Sequence, residues 1–220
     1  MSFKKKYNFI LFIFISVVIF AGCTKEKTPE EKMYTVLEKV VAAEKEFEEQ
    51  QNPLVTLEKK EKGIYDQIIK LGMKEYDQIV KLSDDALLLA DQRKELMEKE
   101  TNSIKQSEKE FTKAANIKDK FEDRNLTKIA NELYEIMMER YKAHDELYIQ
   151  YNEALKNDKA LYEMFKNKNL PLEDLEAQVN KLNETYKKIY DVNEKFNLLT
   201  EQYNDKKLSF YKRAGLNTSE

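Results

Sequence analysis

From Tyr134 onward the chain places Tyr134, Met137, Tyr141, His144, Tyr148, Tyr151, Leu155, Asp158, Tyr162 and Phe165 at steps that alternate between three and four. Four heptads without a slip leave little freedom. A 3.5-residue repeat is a helix that supercoils left-handedly against neighbouring helices. A second seam follows: Leu172, Leu175, Val179, Leu182, Tyr186, Ile189, Asn193, Phe196, Leu199, Tyr203, Lys206, Phe210. Between them, NKNLPLEDLE puts Pro171 in a first helical turn and Asn169 near the cap. So short a connection makes the two helices antiparallel. Four glycines, three prolines, 36% charged residues and no tryptophan in 220 residues agree with long helices rather than sheet.

Upstream, Thr28-Pro29-Glu30-Glu31 reads as a helix start, with a capping hydroxyl, proline in the first position and acids in the first turn. That helix is expected to stop at Gln51, because Asn52 precedes Pro53. Beyond it Leu57, Ile64 and Leu71 recur every seven residues, with Ile68, Leu82, Leu89 and Leu96 in a companion register. Since this phase survives Gly72, a helix continuing through Gly72 is the favoured reading, and a hairpin at Leu71-Gly72 the rival. Asp91 to Glu110 holds Leu96, Met97 and Ile104 as its clear apolar residues and is expected to be thinly packed or protruding. Asp123-Arg124-Asn125 turns the chain into the Tyr134 helix. The sum is an all-α, elongated, antiparallel up-and-down bundle of about four helical segments over residues 29–213, followed by a tail, 214–220.

Cys23, the one cysteine, follows Lys4-Lys5-Lys6 and a twelve-residue run, FILFIFISVVIF, at Phe9 to Phe20. A hydrocarbon core about 30 Å thick needs roughly 20 apolar residues, so this run suits a secretory signal over an uncleaved anchor. With Ala21-Gly22-Cys23 it resembles a bacterial lipobox, Phe20 standing where leucine is usual. The resemblance implies a signal peptide over 1–22 and a Cys23 carrying diacylglycerol at the start of a short tether, 23–28. Two acyl chains then hold the protein, at about 0.8 kcal/mol per buried methylene. Losing three lysines and no acids with the leader moves the formal charge from -3 to about -6. That balance argues against nucleic acid as a partner.

Catalytic, metal and cofactor patterns are sought and none is assigned. His144 lies on a tyrosine-lined seam, where a hydrogen-bonded core histidine is the simpler reading. Ser209-Phe210-Tyr211-Lys212 has a serine–lysine spacing but lacks the companion motifs of penicillin-interacting enzymes. Glu48-Glu49 and Asp84-Asp85 read as solvated faces, and Met137-Met138 as gap-filling core. Tyr134, Tyr141, Tyr148 and Tyr186 belong to core seams, while Tyr65, Tyr76, Tyr190 and Tyr211 are expected to be at least partly exposed. Asn193 interrupts the last seam. Either a buried, paired amide fixes register there, with His144 its candidate partner, or the bundle is open and the amide meets water.

The stretch from Pro29 to about Leu87 resembles the YkyA-like family of cell-wall-binding lipoproteins of Gram-positive bacteria, most clearly at EEQQNPL and in LGMKEYDQI and KLSD. The resemblance implies an all-helical lipoprotein on the outer face of the cell membrane, beneath the wall, with no catalytic residues to carry over. The expected function is a membrane-anchored binding or spacer module at the membrane–wall interface, its partners the membrane and a cell-wall polymer. The alternative is a lipid-anchored scaffold that docks an extracytoplasmic protein on an amphipathic stripe. A solute receptor would need strand–helix alternation, which the chain does not offer.

Overall fold

The computed structural model describes residues 26–216; the expected leader, Phe20-Ala21-Gly22 and Cys23 lie outside the described residues. Five helices follow in order: α1 Pro29–Ala43, α2 Lys45–Ile68, α3 Tyr76–Phe111, α4 Arg124–Phe165 and α5 Leu172–Arg213. Glu44 alone separates α1 from α2, so the pair forms one arm. The main backbone approaches run from this arm to α3, from α3 to α4, and from α4 to α5. The result is an up-and-down bundle of four long arms. Among the described residues there is no strand, and no helix is long and apolar enough to cross a membrane.

The helix ends follow from local chemistry. Thr28 Oγ1 accepts from the Glu31 N–H at 3.2 Å while the Thr28 N–H donates to Glu31 Oε2 at 3.0 Å, a reciprocal cap. Asp123 caps α4 through the Asn125 N–H at 2.8 Å. Pro171 sits at the cap position of α5 rather than inside its first turn. At the other end of α5, Gly215 takes a left-handed φ of 66°, and the Leu216 N–H returns to Tyr211 O at 3.0 Å.

Expectations for three stretches of the chain are overturned. The first arm does not stop at Gln51: α2 runs through Pro53. Asn52 and Pro53 face solvent while Leu54 beside them is buried. The Glu49 carbonyl that loses its partner to proline can therefore turn to water, while packing holds the helix on course. The break comes earlier, at Glu44, where α3 intervenes. Ser103 Oγ donates to Ala43 O at 2.6 Å and accepts from the Phe47 N–H at 3.0 Å. One hydroxyl thus bridges the two ends that a continuous helix would join directly.

Nor does a helix continue through Gly72. Helix α2 ends at Ile68 and α3 begins at Tyr76, with the Gly72 N–H donating to Glu75 Oε2 at 2.9 Å. The connecting residues, 69–75, number one heptad. The register therefore survives a hairpin unchanged, and the two sets of leucines and isoleucines face each other across it.

The third correction concerns Asp91 to Glu110. This stretch is among the best buried in the molecule, through Arg93, Met97, Glu100, Thr101, Ser103, Ile104 and Ser107. Polar side chains paired across the bundle do what apolar ones were expected to do. Tyr211 is likewise buried, its hydroxyl donating to Glu38 at 2.9 Å.

Three apolar clusters lie along the bundle. One gathers Leu37, Ile104, Phe111, Met137, Tyr203 and Phe210 at the end where α1 begins. A middle one holds Leu54, Ala90, Met97, Tyr151 and Leu155. The far one holds Ile68, Ile79, Ala86 and Tyr162. An arginine stands between each neighbouring pair. Arg140 makes a two-pronged bond to Glu44 at 2.8 and 3.0 Å and donates to Thr200 at 2.8 Å. Arg93 occupies the second level.

Candidate functional site

The second arginine level opens to solvent. Helices α2 and α5 flank a cleft of about 630 Å³, floored by α3 and α4. Arg93, 2% exposed, lies at its base. Its Nη1 donates to Glu61 Oε2 at 2.7 Å and to Asp158 Oδ2 at 3.0 Å. Nε donates to the Tyr151 hydroxyl at 2.9 Å, and Nη2 to the Tyr186 hydroxyl at 3.2 Å. Each phenol passes the contact on: Tyr151 donates to Glu58 Oε1 at 2.8 Å, and Tyr186 to Asp158 Oδ2 at 2.6 Å. The guanidinium also lies over the Tyr151 ring, 5.0 Å from its centroid. Each helix of the bundle except α1 contributes a member of this ring.

The charges do not balance. Glu61 and Asp158 are both buried beside one guanidinium, and Glu58, more exposed, stands 3.9 Å from Arg93. Burial pushes the Glu61 and Asp158 carboxyls above their ordinary values, against the pull of Arg93. Burial likewise raises the phenols of Tyr151 and Tyr186, keeping them protonated donors. Burial also works against the charge of Arg93, yet the negative potential of its neighbours outweighs it and the guanidinium is held charged.

Above this base the α5 wall is apolar, with Val179, Leu182, Ile189 and the exposed ring of Tyr190; Asn183 and Asn193 share that wall. Asn193 is exposed, so of its two readings the solvent-facing one holds. His144 is fully buried elsewhere. Its Nε2 lies 3.4 Å from Glu100 Oε1, and its ring packs edge-on against Phe47 and Phe196, with centroids 6.0 and 5.6 Å away. Among the described residues His144 Nδ1 and Glu100 Oε2 find no hydrogen-bond partner. Ser209 spends its hydroxyl on the Asp205 carbonyl at 2.8 Å on an exposed face. Among the described residues no group of three or more His, Cys, Asp or Glu could hold a metal ion.

Sequence reasoning missed Arg93, Glu61, Glu58 and Tyr186 as a group. The available signal was Asp158: a carboxylate on an apolar seam calls for a buried cation from another helix. Asp91 to Glu110, short of apolar residues, was where to look for it.

Comparison with known proteins adds the kinship. The profile of the family described as "Putative cell-wall binding lipoprotein" matches residues 28–213. A relative in Bacillus subtilis (strain 168), "Uncharacterized lipoprotein YkyA", is 36% identical over 198 residues, covering 90% of this chain and 88% of its own. A crystal structure of a conserved protein of unknown function from Staphylococcus aureus superposes with a TM-score of 0.65 at 20% identity, over 84% of this chain and 97% of that one. This last likeness speaks to the fold alone. The family match and the relative, each spanning most of the chain, together establish that this protein belongs to the YkyA family of lipoproteins.

Proposed function

We propose that the protein is a surface lipoprotein, held by diacylglycerol on Cys23 at the outer face of the cell membrane, whose helical rod binds or spaces the cell wall. The observation that carries this reading is the position of the cleft along the rod. Helix α1 starts at Pro29, six residues after Cys23. Glu61 lies 32 residues further along the same arm. At 1.5 Å per residue the cleft is held roughly 48 Å from the tethered end, far beyond the lipid headgroups of an upright rod. Membership in a lipoprotein family supports the anchor, and the family's description supports the wall as target.

One observation favours the scaffold alternative. Leu172, Tyr190 and Leu208 are exposed on α5 and recur every 18 residues, about five helical turns, so they fall on one line along the helix.

A two-part experiment separates the readings. Cells making the parent or Cys23→Ala are fed a fatty-acid analogue, and label is expected in the parent alone. Residues 24–220 are then incubated with isolated walls and with a detergent extract of membranes. Retention on walls supports the proposal. Label on Cys23→Ala, or retention of a membrane protein with none on walls, overturns it.

A further inference from the structure

We propose that the cleft between α2 and α5 is a binding site for a lysine-type side chain, a primary ammonium on an aliphatic stem, presented by a short peptide. This deepens the wall-binding reading and rests on it for the source of the peptide, since the chemistry of the site stands on the cleft itself. At about 630 Å³ the space falls within the range of small-ligand sites, roughly 300–1,000 Å³.

Its polarity selects the ligand. Three carboxylates, Glu58, Glu61 and Asp158, face one guanidinium, and Arg93 is fixed by Glu61, Asp158, Tyr151 and Tyr186. An anion entering here finds four of the five Arg93 N–H groups already engaged and surplus negative charge around them. A cation supplies what the ring lacks. Lys62, also at the rim, is turned to its own helix and pairs with Asp66 at 2.9 Å, so it does not fill that role. Glu58 is the natural partner of an incoming ammonium: its side chain is 38% exposed, and Oε1 already accepts from Tyr151.

The route to Glu58 is apolar. Val179, Leu182 and Ile189 line it from α5 and suit a run of methylenes, while the exposed Tyr190 ring on the same wall is an aromatic surface on which a cation can rest. A bare polyamine would leave the rim unused. Asn183 and Asn193 present side-chain amides there, each both donor and acceptor, which matches the hydrogen-bonding pattern of a peptide backbone. The acidic balance of the mature chain points the same way, against phosphate-rich wall polymers and towards a cationic group.

The probe is the synthetic peptide acetyl-Ala-Lys-Ala-amide, compared with its Nε-acetyl twin by titration against residues 24–220 with amide chemical shifts as readout. The expected result is shifts clustered at Glu58, Glu61 and Asn183 to Asn193, with binding about tenfold weaker for the twin. Glu58→Gln and Tyr190→Ala, both at solvent-reached positions, should each weaken the lysine peptide while circular dichroism stays that of the parent. Equal binding of the twin, shifts outside the cleft, no binding, or variants that bind like the parent overturn the proposal. The wall assay keeps the two readings apart. If Glu58→Gln is retained on walls as well as the parent, the cleft is not the wall contact, although wall binding stands. If the peptide binds but no form is retained, the wall reading fails and the site remains.

Discussion

Two carboxylates on one guanidinium make the Arg93 ring sensitive to proton concentration. Glu61 and Asp158 have ordinary values of 4.5 and 3.8, and burial raises both in the folded state. A raised carboxyl contributes its stability fully below the unfolded-state pKa and loses it as pH climbs through the folded-state value. Above that window the fold carries one more buried negative charge than Arg93 can neutralise. Glu61→Gln keeps an acceptor for Arg93 Nη1 and removes the surplus. Its melting temperature is expected to exceed the parent's at pH 8, with the difference shrinking to nothing near pH 4. Half-buried carboxylates that titrate the other way, such as Glu132 with Lys206 and Asp123 with Arg213, act in both proteins and cancel. Thermal unfolding across pH is the measurement, and a difference that does not vary with pH would sink the surplus-charge account.

Among the elements, the first arm shows how a neighbour can outvote local preference. Pro53 carries the strongest local stop signal of the arm, and the helix passes through it; nothing in the sequence around Glu44 marks a break, and the helix yields there to Ser103. Removing that hydroxyl with Ser103→Ala leaves the Phe47 N–H and the Ala43 carbonyl without their bridge, at a cost of about 1–3 kcal/mol. Urea denaturation should give a lower midpoint with an unchanged slope, and faster hydrogen exchange at Phe47. A variant as stable as the parent, with Phe47 equally protected, would mean that the break has another cause. Helix existence, order and the cap at Thr28 were legible because they follow from periodicity and near neighbours in the chain. The hairpin at Gly72 was hidden by a connection one heptad long, which preserves phase. The burial of Asp91 to Glu110 was hidden because its polar residues reveal their partners, Glu44, Glu61 and Asp158, only after the helices are assembled. The candidate cleft was illegible for the same reason, apart from the hint at Asp158.

Taken whole, the molecule is long for its mass. Helices α4 and α5 hold 42 residues each, roughly 63 Å at 1.5 Å per residue. Small-angle scattering from residues 24–220 is expected to give a radius of gyration clearly above the roughly 16 Å of a compact globule of this size; a value near that figure would rule the rod out. Length brings a hazard. Seams that repeat every seven residues look alike to themselves, so a helix displaced by one heptad still sets apolar against apolar. The arginine levels act as a vernier against that error. Moved by seven residues, the position facing Arg93 would change from Asp158 to Tyr151 or Phe165, and the one facing Arg140 from Glu44 to Leu37 or Gln51. Each slip leaves a buried guanidinium without its carboxylate. Two marks at different heights therefore give the rod a single zero, and what is fastened at one end arrives at a fixed height at the other.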